Sequence, residues 1–203
     1  MEYIQDKFIT MKKCFLFLFF VCATVIGKAQ LTTEQQGIKK TFFNFLLFYK
    51  NNEKKFNSFK LYKGKQGNPP FKIQWGEVEK YFTYLRLSVP YVGASYINSE
   101  RADFKYYDSC FKADPKEELP IGFDYDRWAG GQEDIAYTYK WYTDKNNKYI
   151  ITITGDKAIL KIGSALQKGD AEKDRYWSNV PFVKEKGKWV MASNIYPAED
   201  EKN

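Results

Sequence analysis

KYIITITGDKAILKIGSAL, residues Lys148 to Leu166, decides how this chain is read. Lys148 to Thr154 alternates β-branched and polar residues, and Ala158 to Leu166 resumes the alternation. Gly155-Asp156 between them suits a tight hairpin turn, so the stretch predicts two antiparallel strands. Working towards the C-terminus, Arg175 to Val183 and Lys188 to Ile195 read as a second strand pair around Lys186-Gly187. Working back, Ile135 to Tyr142 (IAYTYKWY) also alternates and is read as a strand that puts Tyr137, Tyr139 and Trp141 on one face.

Upstream of Asp134 the apolar period is helical. Ile38, Phe42, Phe45, Leu46 and Tyr49 recur at helix spacing over 32–50, with Thr32 or Thr33 as cap and Asn51-Asn52 as the expected end. Residues 53–63 read as a short helix or turn, and Lys63 to Pro70 (KGKQGNPP) reads as a loop. A second helix is expected over 77–87, with Val78, Tyr81, Phe82 and Leu85 inward and Pro90 beyond its end. A third is expected over 100–111, capped by Ser99, with Phe104, Tyr107 and Phe111 on one stripe and Asp114-Pro115 closing it. Residues 114–131 are rich in Gly and Pro and read as a long irregular segment of the kind that carries function. Helices first and antiparallel strands after them give an α+β fold, with N-terminal helices packed on a curved antiparallel sheet.

The N-terminus has a different character. Lys12 and Lys13 precede an uncharged run, Phe15 to Ile26, and Gly27-Lys28-Ala29 offers small residues for a cut before Gln30. These are the parts of a cleavable signal peptide over 1–29, with Met11 as the expected natural start. The run of about 12 apolar residues is too short for a bilayer span of roughly 20. Export to the periplasm or beyond is therefore expected, with no transmembrane span in the mature chain. One α+β domain over 30–197 and a short acidic tail over 198–203 complete the expected organisation.

Removing residues 1–29 takes away four lysines and two acids, which lowers the net charge from +7 to +5. The remaining lysines are interspersed with acids and form no dense stripe, so no nucleic-acid partner is expected. Cys14 and Cys22 leave with the signal, so Cys110 has no intramolecular partner for a disulfide. It is either a buried small hydrophobe or an odd thiol able to pair between chains. The chain holds no histidine, which excludes Ser-His-Asp and Cys-His catalysis and every His-ligated metal. What remains is carboxylate, Tyr, Lys and backbone chemistry, and no cofactor is implied.

Three stretches carry a resemblance: the aromatic helix Thr41 to Tyr49 (TFFNFLLFY), Gln132-Glu133-Asp134, and the closing Gly187-Lys188-Trp189-Val190. With them the chain, over about residues 32–196, resembles the nuclear-transport-factor-2-like, or cystatin-like, architecture. Within it the chain is similar to the exported bacterial family called domain of unknown function 3828. The resemblance implies a cone-shaped pocket between helices and concave sheet, used in that group by isomerases and dehydratases or for plain binding. The enzymes of the group usually place His, Asp or Tyr in the pocket, and here His is missing.

Asp124, Asp126, Glu133 and Asp134 crowd around Trp128 and Gly130-Gly131. One reading is a calcium loop, but the EF-hand pattern fails: its sixth position would be Ala129 and its twelfth Ile135. The other is that Asp124 and Asp126 cap a turn while Gln132 and Asp134 bond loop backbone. An acid–base pair of Asp124 or Asp134 with Tyr137 or Tyr139 is a third reading. Asp124, Asp126, Gln132, Asp134, Tyr137, Tyr139 and Trp141 are thus the candidate pocket or loop site, with no metal assigned. The functional expectation is an exported, non-catalytic binding domain, of the periplasmic inhibitor or immunity type or a ligand binder. Its partner is an unknown protein or small ligand. The alternative is a His-free enzyme using Asp and Tyr in the sheet cavity.

Overall fold

The computed structural model describes residues 30–197. The expected signal peptide and the acidic tail lie outside them. Helix α1 (Thr33–Phe56) buries Ile38, Phe42, Phe45, Leu46 and Tyr49, the stripe read from the sequence. It does not stop at Asn51-Asn52. The backbone kinks at Asn52 (φ −121°, ψ 15°), whose side chain donates to the Phe48 carbonyl at 2.8 Å. A further turn then delivers Phe56 into the core, with its ring 4.9 Å from Tyr49 and 5.2 Å from Trp128. Burying a phenylalanine is worth roughly 1.5–3 kcal/mol, enough to carry the chain through an asparagine pair that favours stopping.

The expected loop 63–70 is instead the middle of a hairpin, β1 (Tyr62–Lys65) with β2 (Asn68–Ile73). Gly and Pro content pointed to a loop, but Phe71 and Ile73 are buried and pull the strand inward. Gly64, at φ +122°, lets Phe71 lie under the backbone, where a Cβ would stand 2.5 Å from its ring. Helix α2 (Trp75–Ser88) buries Val78, Tyr81, Phe82 and Leu85 as expected.

Helix α3 (Ala94–Ala113) starts well before Ser99. Its N-cap is Gly93, which has no side chain to offer, and the cap comes from Glu185. That carboxylate accepts the backbone N–H groups of Ala94 at 2.9 Å and Ser95 at 3.0 Å. Two donors that a helix end leaves orphaned are so satisfied by a distant strand. Cys110 lies on α3, half-buried and free.

Ile135–Tyr142 is a helix, α4, and not the expected strand. Its aromatic and β-branched content favoured a strand, and its alternation was incidental. Asp134 is the N-cap and accepts from Tyr137 N at 2.8 Å. Ile135, Thr138 and Tyr142, at helical spacing, are the buried positions. Asn147 then donates to the Trp141 and Tyr142 carbonyls and closes the C-terminal end.

β3 (Lys148–Thr154), β4 (Lys157–Gly163), β5 (Trp177–Glu185) and β6 (Lys188–Met191) form an antiparallel sheet in that order, and β7 (Tyr196–Pro197) pairs with β5. Gly155-Asp156 makes the expected turn, with Thr154 opposite Lys157. Ile151, Leu160, Ile162, Val180 and Phe182 are buried. Helix α1 is tied to this sheet: Gln35 Nε2 donates to the Ile151 carbonyl at 2.8 Å, and Glu34 accepts from Lys184 and Trp189, both at 2.9 Å. The fold is α+β. Among the described residues no helix is long and apolar enough to cross a membrane.

Candidate functional site

The irregular segment 114–134 is held in place at defined points. Gly122 (φ +79°) lies against Tyr107, where a Cβ would fall 2.3 Å from the ring. Asp126 N donates to the Gly131 carbonyl at 2.6 Å, and Gly130 N returns a bond to the Asp126 carbonyl at 2.7 Å. The Asp126 side chain closes the turn within: Oδ1 accepts from Trp128 N at 2.9 Å and Ala129 N at 3.0 Å. Oδ2 accepts the Tyr49 hydroxyl at 2.8 Å.

This arrangement makes one wall of a cleft of about 460 Å³. Tyr49 and Glu53 come from the end of α1, Tyr62 from β1, and Phe123, Asp126 and Trp128 from the loop. The extra turn of α1 and the unforeseen hairpin are what build it. Burial raises the Asp126 pKa, against its bonds from Tyr49, Ala129 and Trp128. Burial also pushes the Tyr49 phenol far up, helped by the charges of Asp126 and Glu53. Tyr49 therefore stays protonated and keeps donating.

Behind the cleft lies a buried polar cluster. Glu100, on α3, pairs with Arg127 at 2.9 Å and accepts the Tyr81 hydroxyl at 2.9 Å. Trp128 Nε1 donates to that same hydroxyl at 2.7 Å. Asn194 donates to Glu100 and accepts from Tyr96. Burial disfavours the Arg127 charge, yet the Glu100 carboxylate and the surrounding groups outweigh it and hold the guanidinium charged. Its Nε and Nη1 lack hydrogen-bond partners, and its carbon centre lies 4.3 Å from the Phe104 ring centre and 5.2 Å from that of Phe123. The aromatic rings take the place of acceptors there.

A second, smaller cleft of about 200 Å³ is lined by Gly130, Gly131, Tyr137, Trp141 and Tyr176, among others. Neither cleft is lined by a residue of the five-stranded sheet.

The sequence candidates are therefore divided. Asp126 lines the large cleft. Tyr137 and Trp141 line the small one, as helix neighbours four apart. Tyr139 does not share their face and lies under Lys50, whose Nζ is 5.1 Å from its ring. Asp134 caps α4, while Asp124 and Gln132 are exposed. Among the described residues no three His, Cys, Asp or Glu side chains gather as a metal site. Tyr49 was read only as part of the α1 stripe, and Glu53, Glu100 and Arg127 were not singled out from sequence. Glu100 could have been, because it extends the helical stripe of Phe104, Tyr107 and Phe111 as the one acid among aromatics. Compared with known protein families, with curated proteins and with solved structures, the chain matches none.

Proposed function

We propose that the chain is an exported, non-catalytic binding domain whose site is the cleft between the end of α1, the β1–β2 hairpin and the Phe123–Trp128 loop. One observation carries this reading: both oxygens of Asp126 are engaged by fixed donors, which makes a preformed wall rather than a free acid or base. A concave site with aromatic walls and a few placed polar groups is the usual form of a small-ligand pocket. The cleft volume favours the ligand-binding version of the expectation over a flat inhibitor or immunity-type surface. Kinship with the nuclear-transport-factor-2-like group stays a proposal, supported by the order of helices before an antiparallel sheet.

The test is amide chemical-shift mapping of the full chain against a mixed panel of small cationic, neutral and anionic compounds. Shifts gathered on Glu53, Tyr62 and Phe123–Trp128 support the reading. Shifts confined to other regions, or none with any compound, overturn it. Export has its own test: the chain recovered from the secreted fraction begins at Gln30.

The enzyme alternative draws on the raised Asp126 pKa beside the Tyr49 hydroxyl. Against it, Tyr49 already donates to Asp126, and proton transfer to a substrate would break the bond that holds the wall. Turnover of any ester, amide or enolisable ketone, lost in Asp126→Asn, would favour the enzyme.

A further inference from the structure

The large cleft combines acidic and aromatic side chains. Two carboxylates line it, Glu53 and Asp126, and neither belongs to a salt bridge among the described residues. Some acids elsewhere are matched, such as Glu34 with Lys184, Glu79 with Arg101, and Glu172 with Lys148 and Arg175, but Glu53 and Asp126 face a concave, aromatic-lined site. The nearby cations do not fill the role. Arg127 also lines the cleft, but it is 4 % exposed and its Nη2 is paired with the buried Glu100. Lys60 is on the lining but exposed, and Lys55 places its Nζ 4.6 Å over the Phe59 ring. Solvent screens such exposed ammonium groups, while a half-buried carboxylate is screened much less.

The walls have matching chemistry. Phe59, Tyr62, Phe123 and Trp128 supply aromatic rings, and Tyr62 and Phe123 lie with ring centres 4.6 Å apart. Ring faces attract cations, most strongly where water is excluded. Lys55 over Phe59 shows the same affinity within the chain. Aromatic rings joined to unmatched carboxylates recognise positive charge carried on an organic frame. A small hydrated metal ion would gain little from the rings and would need more oxygen ligands than two acids provide.

We infer that the cleft takes the cationic head of a small organic ammonium or guanidinium compound, with Glu53 and Asp126 as its counter-charges and the aromatic walls around it. This rests on the proposed reading of the cleft as the binding site. Asp126 fits the role in a second way. The groups that favour its ionised form are the Tyr49 hydroxyl and the Ala129 and Trp128 amides, and no cation is among them.

The experiment is calorimetric titration of the full chain with tetramethylammonium, butylammonium and butylguanidinium. The controls are 3,3-dimethylbutanol, the neutral analogue of a quaternary head, and butyrate, all at matched ionic strength. End-blocked tripeptides centred on Lys or Arg separate a side-chain source from a free amine. Asp126→Asn and Glu53→Gln are the variants. The asparagine keeps an oxygen for Trp128 N and Ala129 N, and Glu53 has no structural bond to lose. The inference predicts at least tenfold tighter binding of a cation than of the neutral analogue, and a loss of fivefold or more in each variant. Equal binding of the alcohol, preference for butyrate, or affinities unmoved in both variants would overturn the cation while leaving the cleft as a binding site. Silence of every probe would overturn it too, and the shift mapping then decides whether the cleft itself fails.

Discussion

The Tyr49 hydroxyl donates to Asp126 Oδ2 at 2.8 Å and ties the end of α1 to a loop 77 residues further on. The bond fixes the wall of the large cleft, and its loss is measurable. Tyr49→Phe removes the donor alone and is expected to lower unfolding stability by about 1–2 kcal/mol. Asp126→Ala also frees the amides of Trp128 and Ala129, so it is expected to lower stability by about 2–4 kcal/mol. Urea unfolding of the two variants side by side checks both the direction and the order.

Acid titration separates two carboxylates with opposite shifts. Burial raises the Asp126 pKa. Its contribution is full below the ordinary aspartate value of about 3.9 and is lost as pH rises through the raised folded value. Cation binding runs the other way, because it needs the ionised form. Affinity for butylammonium is expected to fall on acidification with a midpoint above that of an ordinary aspartate. Asp126→Asn should remove this midpoint, which titrations at a series of pH values can read directly.

Glu185 is the counter-case. Burial alone would raise its pKa, but the amides of Ser95 and Ala94 prevail and the net shift is downward. Its stabilisation is present above the ordinary glutamate value of about 4.3 and is lost as pH falls through the lowered folded value. Glu185→Ala is expected to lower stability by about 1 kcal/mol at neutral pH, the usual effect of removing a helix cap. Hydrogen exchange should then quicken first at Ala94 and Ser95.

The Glu100–Arg127 pair is fully desolvated, so removing one partner strands the other. Glu100→Ala is expected to destabilise by about 3–5 kcal/mol. A double replacement by apolar residues of like size is expected to be milder than either single change. Thermal melts of the three variants test this, and a double variant worse than both singles would contradict it.

How far the sequence could be read follows from where the determining contacts lie. The β3–β4 hairpin was legible because its turn and its alternation are local. The face of α1 was legible because five apolar residues repeat at helix spacing. Residues 135–142 misled because Tyr, Thr, Ile and Trp suit strands. The deciding facts were the Asp134 cap and the burial of Ile135, Thr138 and Tyr142, one visible in the sequence and one not. The start of α3 was hidden, since its cap is Glu185, some ninety residues away. The site was half legible. Asp126 stood out within an acidic loop, but Tyr49 looked like an ordinary core residue, and Glu53 looked like one charge in a lysine-rich stretch. Only the extra turn of α1 past Asn52, driven by Phe56, brings Glu53 to the cleft.

The most direct test is the position of a bound cation. Intermolecular nuclear Overhauser effects from the methyl protons of tetramethylammonium should reach the rings of Tyr62, Phe123 and Trp128 in the wild-type chain and weaken at equal ligand concentration in Asp126→Asn. Contacts to Tyr137, Trp141 and Tyr176 instead, or contacts that persist unchanged in the variant, would contradict the account.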